Sequence, residues 1–243
     1  MVDIHSHILP GIDDGSKSWE MTAEMCRIAA ADGITHMVAT PHSNYAFEYN
    51  RDRFTEMLGQ LRDCSDGMLT FSLGCDFHFS PDNIRDALDH PQRYTIGETQ
   101  YLLIEFSNRG IPATVNQDVL ALLSCGLVPI ITHPERNVPL MKKPEMVLDL
   151  IQRGCLVQVT ANALTGSWGE RSQKMAEWLL AREAIHVVAS DAHDPVHRRP
   201  VMSEARAAIA QKAGEAIAEA LVTRNPEAIV EGRSLPYRPS YSQ

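Results

Sequence analysis

Residues 2–7 read VDIHSH, a short apolar run that ends in two histidines one residue apart. On a strand, positions i and i+2 point to the same side, so His5 and His7 present both imidazoles to one point in space. An isolated H-x-H is equally well a polar strand end. The residues at the ends of the other apolar runs therefore decide between the two readings.

Those runs are VDI at 2–4, ITHMVAT at 34–40, LTFSLGC at 69–75, YLLIEF at 101–106, LVPIIT at 127–132, CLVQVT at 155–160 and IHVVAS at 185–190, which makes seven candidate strands. Helical patterns alternate with them over 19–31, 51–64, 81–88, 115–124, 144–153 and 170–182, followed by a helical tail over 201–230. End signals support several of these: Ser80-Pro81 opens one helix, Thr114 with Gln117 reads as a capping box, and Gly33, Gly126 and Gly154 close others. Strand and helix in alternation predict parallel strands with crossover helices, in a doubly wound sheet or a closed barrel. No G-x-G-x-x-G follows the first strand, which weakens the dinucleotide-binding version.

Composition sets the limits. The chain has 243 residues, 44% of them hydrophobic, which suits one large domain with a full core. Lys+Arg 22 against Asp+Glu 31 gives a net charge of -9, so nucleic acid is not an expected partner. Without a signal-peptide pattern or about 18 consecutive apolar residues, a soluble cytoplasmic protein with no membrane insertion is expected. Five scattered cysteines with no C-x-x-C read as reduced, packed thiols.

Polar residues collect where the runs end. Strand one delivers His5 and His7, with Asp13 and Asp14 in the next loop. Strand two delivers His42, strand three Asp76 and His78, strand four Glu105, strand five His133, and strand seven Asp191 and His193. The sixth strand offers Thr160 and Asn162. The C-terminal ends of strands are where barrel enzymes keep their active sites. Imidazole and carboxylate without thiolate favour Zn, Mn or Fe in a hydrolytic centre over a structural zinc site. Nine of these, His5, His7, His42, His133 and His193 with Asp14, Asp76, Glu105 and Asp191, exceed the needs of one ion and predict two or three metals with a bridging carboxylate, a phosphoryl-transfer arrangement. Glu105, amid apolar neighbours, is costly unless paired or metal-bound. By contrast His36, His186 and His90 lack a partner pattern and read as packed or solvated. Tyr45, Phe47 and Tyr49 form either a rim for an aromatic substrate or a packing cluster.

The combination of H-x-H near the N-terminus, P-H after strand two, a lone glutamate in strand four, THPERN after strand five and SDAH after strand seven resembles the PHP (polymerase and histidinol phosphatase) superfamily. DIHSHILPGIDDG, THPERN and SDAH look most like the bacterial manganese-dependent protein-tyrosine phosphatases of capsule and exopolysaccharide synthesis. The resemblance implies an α/β, distorted (β/α)7 TIM-like barrel as a single domain over residues 1–235, with a polar tail at 236–243. It implies a trinuclear centre: His5, His7, Asp76 and Asp191 on one ion, Asp76, Glu105 and His133 on a second, and Asp14, His42 and His193 on a third. Manganese is the expected ion, with zinc or iron as alternatives. Relatives usually carry glutamate where this chain has Asp76, one methylene shorter, which leaves His78 as an alternative in that set. Asp13 is the alternative to Asp14, or a helix cap. The substrate-binding arginines would correspond to Arg136 and Arg199, with Arg198 the alternative because the loop length differs, and His193 or a metal-bound water would supply a proton to the leaving group where it needs one. The implied reaction is hydrolysis of phosphotyrosine on a protein, foremost the tail of a tyrosine kinase. A small-molecule phosphatase such as a histidinol-phosphate phosphatase is the first alternative, and a non-catalytic metal-bound regulatory protein the second.

Overall fold

The structure, a computed structural model, describes residues 1–239. Among these, strands β1 (Val2–Ser6), β2 (His36–Ala39), β3 (His42–Ser43), β4 (Thr70–Leu73), β5 (Asp76–His78), β6 (Tyr101–Glu105), β7 (Val128–Thr132), β8 (Leu156–Thr160) and β9 (Val187–Ala189) alternate with helices in a single α/β fold. All paired strands are parallel, in a three-stranded sheet β1-β2-β4 and a six-stranded sheet β3-β5-β6-β7-β8-β9. The end of β1 also meets the chain just beyond β9: Ser6 bridges Ala192, Asp191 N donates to His5 O at 2.9 Å and His7 N donates to Ala192 O at 2.8 Å. Parallel strands are covered on both faces, so successive residues of one strand serve different apolar clusters. In β6, Tyr101 and Leu103 pack with Ile4, Val38 and Ile229, whereas Leu102 and Ile104 join the larger cluster under the helices.

Two of the seven expected strands are broken. The second run continues past Pro41 as β3, and the third past Gly74 as β5. Pro41 has no N–H for a ladder, although its carbonyl still accepts from Asp76 N at 3.2 Å. At Gly74 a Cβ would stand 3.0 Å from Ile96 and 3.2 Å from Val38, so a side chain there would crowd these neighbours by a few tenths of an ångström. These breaks move the chain from the small sheet to the large one. His42, Asp76 and His78 all come after them.

Helices α1 (Trp19–Ala31), α2 (Arg51–Cys64), α3 (Pro81–Asp89) and α4 (Val115–Ser124) lie within a residue of the expected bounds. Ser18, Asn50 and Ser80 cap the first three through their side chains. Thr114 does not cap α4: its backbone is already helical, and its carbonyl, not its hydroxyl, receives the Gln117 N–H. Helices α5 (Val138–Lys142), α6 (Glu145–Gln152), α7 (Ala161–Leu164) and α8 (Glu170–Ala181) come next. The expected continuous tail is interrupted at Gly214 (φ +95°), giving α9 (Ser203–Ala213), α10 (Glu215–Glu219), a π-helical segment Ala220–Arg224 and α11 (Asn225–Val230). The start of the expected polar tail is tied down, because Asn225 accepts from Tyr237 N at 3.1 Å and donates to Tyr237 O at 2.8 Å. Residues 240–243 of that tail lie outside the described residues. Among the described residues no helix is long and apolar enough to cross a membrane.

Candidate metal centre

The C-terminal strand ends bring the expected histidines and carboxylates to one place. Three groups each offer donor atoms within 4.8 Å of one another: His7, Asp14, His42 and His193; His5, His7 and Asp76; and His42, Asp76 and Glu105. Seven of the nine expected residues thus fall into groups that share His7, His42 and Asp76. The remaining two border them, with Asp191 Oδ1 at 3.5 Å from both His5 Nε2 and His7 Nε2, and His133 Nε2 at 4.0 Å from Glu105 Oε1. The sharing differs from the sets implied by resemblance, since His42 stands as close to Asp76 (3.2 Å) as to Asp14 (3.3 Å). His78 touches Glu105 at 3.7 Å and belongs to none of the three groups. Glu105 is half-buried while its strand neighbours are covered, and its carboxylate lies within 4.0 Å of His42 and His133.

Outer partners orient the rings. His5 Nδ1 pairs with Gln158 Oε1 at 3.0 Å, His7 Nδ1 with Asp13 Oδ2 at 2.7 Å, and His193 Nδ1 with the Asp191 carbonyl at 3.0 Å. Each partner is an acceptor, so each Nδ1 carries the proton and each Nε2 turns a lone pair inward. His5 Nε2 and His7 Nε2 then face each other at 3.3 Å. Two lone pairs at that distance repel unless a cation takes them. Asp76 adds to the case, because neither of its buried oxygens has a hydrogen bond and His42 Nδ1 beside it has none. Buried polar atoms are normally satisfied. The donor set is nitrogen and oxygen only and fits divalent Zn, Mn or Fe.

The local field favours positive charge at the cluster, carried by protons on the imidazoles when no cation is bound. Burial by itself would lower His5, but the Asp76 and Asp191 carboxylates outweigh it and raise the imidazole to about 9. His42 is raised to about 11, burial again being overcome, here by Asp14 and Asp76. Asp76 and Asp191 lie well below the carboxylate range despite burial, chiefly through His5. His133 moves the other way, to about 3, through burial and the nearby Arg136 charge. Two site residues are also held in left-handed backbone, His133 at φ +33° and Asp191 at φ +53°. Such strain in non-glycine residues collects at functional sites.

Arg136 and Arg198 both bond Asp191 Oδ2, Arg198 at 2.6 Å. The expected Arg199 does not reach the cluster: it is exposed and lines a surface recess with Glu24, Arg27 and Asp32. Asp194 explains the switch. Its carboxylate accepts from the N–H groups of Val196, His197 and Arg198, and the turn it imposes leaves Arg198 inward and Arg199 outward. Asp13 proves to be the support of His7, also accepting from Gly15 N and His42 N, and not a member of the three groups. Gln158 in the sixth strand is absent from the expected set, although a polar residue inside an apolar run is the same signal that Glu105 gives. The aromatic segment divides: Tyr49 is buried and donates to Gly74 O, Phe47 stacks on His42 at 6.0 Å, and Tyr45 is 94% exposed. His36 and His186 are packed histidines with local partners, as expected.

Solved structures share this parallel α/β architecture. A histidinol phosphate phosphatase from Lactococcus lactis superposes with a TM-score of 0.59 over 88% of this chain and 95% of its own, at 9% identity, a likeness of fold alone. Residues 1–231 match the capsular polysaccharide synthesis family CpsB/CapC, and the chain belongs to that family. It is similar to the CapC protein of Staphylococcus aureus, 35% identical over 207 residues (83% of this chain, 80% of the relative). The tyrosine-protein phosphatase CpsB of Streptococcus pneumoniae is 30% identical over 239 residues (95% and 98%). A crystal structure from the pair YwqE of Bacillus subtilis and CpsB of Streptococcus pneumoniae, described as metal-dependent tyrosine phosphatases, covers 100% of both chains with a TM-score of 0.92 and 30% identity.

Proposed function

We propose that this chain is a metal-dependent protein-tyrosine phosphatase of capsule or exopolysaccharide synthesis, acting in the cytoplasm on the phosphorylated tail of a tyrosine kinase. The observation that carries the reading is the set of inward Nε2 lone pairs and hydrogen-bond-free Asp76 oxygens beside two arginines. His5, His7, Asp14, His42, Asp76, Glu105, His133, Asp191 and His193 would hold two or three divalent ions, manganese foremost on the strength of the family resemblance. Such ions, when bound, lower the pKa of water from about 15.7 toward 7 and offset charge on phosphoryl oxygens.

The chain's own residues supply the rest. Arg136 and Arg198 grip the non-bridging phosphate oxygens, to which guanidinium groups donate in pairs. Gln158 and Asp13 hold the His5 and His7 rings in the ligating tautomer. The contact of His193 Nδ1 with the Asp191 carbonyl supports a ligand role through Nε2 in preference to the expected proton donation. A tyrosinate, with a pKa of about 10, leaves with little acid assistance. The three buried cysteines are poor nucleophiles, burial pushing the Cys26 and Cys155 thiols up to about 12 and Cys75 well above the ordinary thiol range, and no cysteine belongs to the three donor groups. The same reading takes the two sheets as one distorted (β/α)7 barrel over residues 1–235, closed where β1 meets Ala192, and the Ser6–Ala192 bridge supports it. Turnover of a phosphotyrosine peptide, a phosphoserine peptide and histidinol phosphate in parallel tests the assignment. Phosphotyrosine is expected to lead, and a hundredfold preference for histidinol phosphate would replace the protein substrate with a small molecule.

A further inference from the structure

Both arginines that reach Asp191 also lie over one aromatic ring. Arg136 Cζ stands 4.0 Å and Arg198 Cζ 5.4 Å from the Trp168 ring centroid, inside the range in which a cation is attracted to a π face. Trp168 sits in the turn between α7 and α8, which two glycines in left-handed backbone shape, Gly166 at φ +85° and Gly169 at φ +86°. A Cβ at Gly166 would meet only the mobile end of Gln173, at 2.9 Å from Oε1, so it is the left-handed backbone and not space that calls for glycine there. The Trp168 backbone N–H donates to Asn162 O at 3.3 Å, while its Nε1 is buried with no hydrogen-bond partner. Buried indoles normally satisfy that donor. The residue is therefore placed for its ring face and not for its N–H.

We propose that Trp168 is a positioning residue, an aromatic shelf that aims the Arg136 and Arg198 guanidinium groups at the substrate phosphate. The inference rests on the phosphatase reading above. Two guanidinium groups side by side repel, and their common anchor, Asp191 Oδ2, is a single oxygen on a residue at the metal groups. A second acid would hold them by neutralising the charge that the phosphate needs. A ring face attracts them through its quadrupole and leaves the charge intact.

The test compares Trp168→Phe, which keeps a π face, with Trp168→Leu, which fills space without one. Inorganic phosphate affinity of the manganese-loaded chain is measured by titration calorimetry, and kcat and KM are measured separately on a phosphotyrosine peptide. Trp168→Leu is expected to weaken phosphate binding and raise KM by roughly tenfold, with kcat changed by less than about threefold, while Trp168→Phe stays within about threefold of the parent. In an Arg136→Ala background the Leu penalty shrinks, because half of what the shelf holds is gone. Equal behaviour of Phe and Leu, or an undiminished penalty without Arg136, would overturn the proposal. A parent chain that binds phosphate but does not turn over the peptide overturns the phosphatase reading, which the phosphate arm separates from the role of Trp168.

Discussion

Asp3 and Asp76 are both completely buried carboxylates on strands, yet they stand in opposite chemical situations. Asp3 accepts from His5 N at 3.3 Å and Ser190 N at 3.0 Å, and Ser190 Oγ donates to its second oxygen, so it bolts β1 to the end of β9. Asp76 accepts no hydrogen bond and looks into a ring of imidazoles. Burial of a charge is common to both and distinguishes nothing. The difference is satisfaction: a satisfied carboxylate ties the structure together, and an unsatisfied one, surrounded by lone pairs, marks a place for a cation.

The largest expected effect is at Asp76. Asp76→Asn should lower kcat/KM on a phosphotyrosine peptide by roughly a thousandfold or more, in line with loss of the group that the metal chemistry depends on, and elemental analysis should show lost metal. Activity close to the parent would break the contrast with Asp3. Next comes His186, a buried histidine that is satisfied like Asp3: its Nδ1 accepts the Val157 N–H, and burial, then the Arg238 charge, lowers it to about 4. Its folded pKa lies below the unfolded value of about 6.5. Stability is therefore fully present above about pH 6.5 and falls toward pH 4 by on the order of 3 kcal/mol as the unfolded chain takes the proton. Denaturant midpoints across that window measure this, and His186→Gln should flatten the slope.

Asp3→Ala should cost about 2–3 kcal/mol of folding stability by orphaning the groups it bonds, while kcat/KM per folded molecule stays within about threefold. Urea unfolding and turnover on the same sample separate the two, and a large catalytic loss at constant stability would erase the distinction between the two carboxylates. The smallest effect is at Gln158, which touches the centre only through His5. Gln158→Leu should weaken metal affinity by about tenfold, the lower end for loss of an outer partner, as read by competition with a chelator.

Legibility in the sequence divides along the same line. Strand and helix positions came from hydrophobic period, and the cluster from polar residues placed just after each apolar run, because a strand end is both a break in the period and the place where a site opens. Pro41 and Gly74 divide two runs for reasons of backbone donors and space that periodicity does not register. Arg198 and Arg199 are adjacent and alike, and only the Asp194 turn decides which faces inward. Asp3 and Gln158 are single polar residues inside apolar runs, and their partners, Ser190 and His5, are 187 and 153 positions away. Trp168 stands in a glycine turn with no pattern to flag it, and its meaning is visible only once both arginines lie over it.

The central claim is that the inward imidazoles and the hydrogen-bond-free Asp76 carboxylate form a divalent-metal centre for phosphotyrosine hydrolysis. The most direct measurement is elemental analysis of the folded chain combined with phosphotyrosine-peptide turnover before chelation, after chelation and after manganese is restored. Two or three ions per chain, activity lost with them and regained on their return is the predicted result. A metal-free chain that hydrolyses the peptide at the full rate would contradict it.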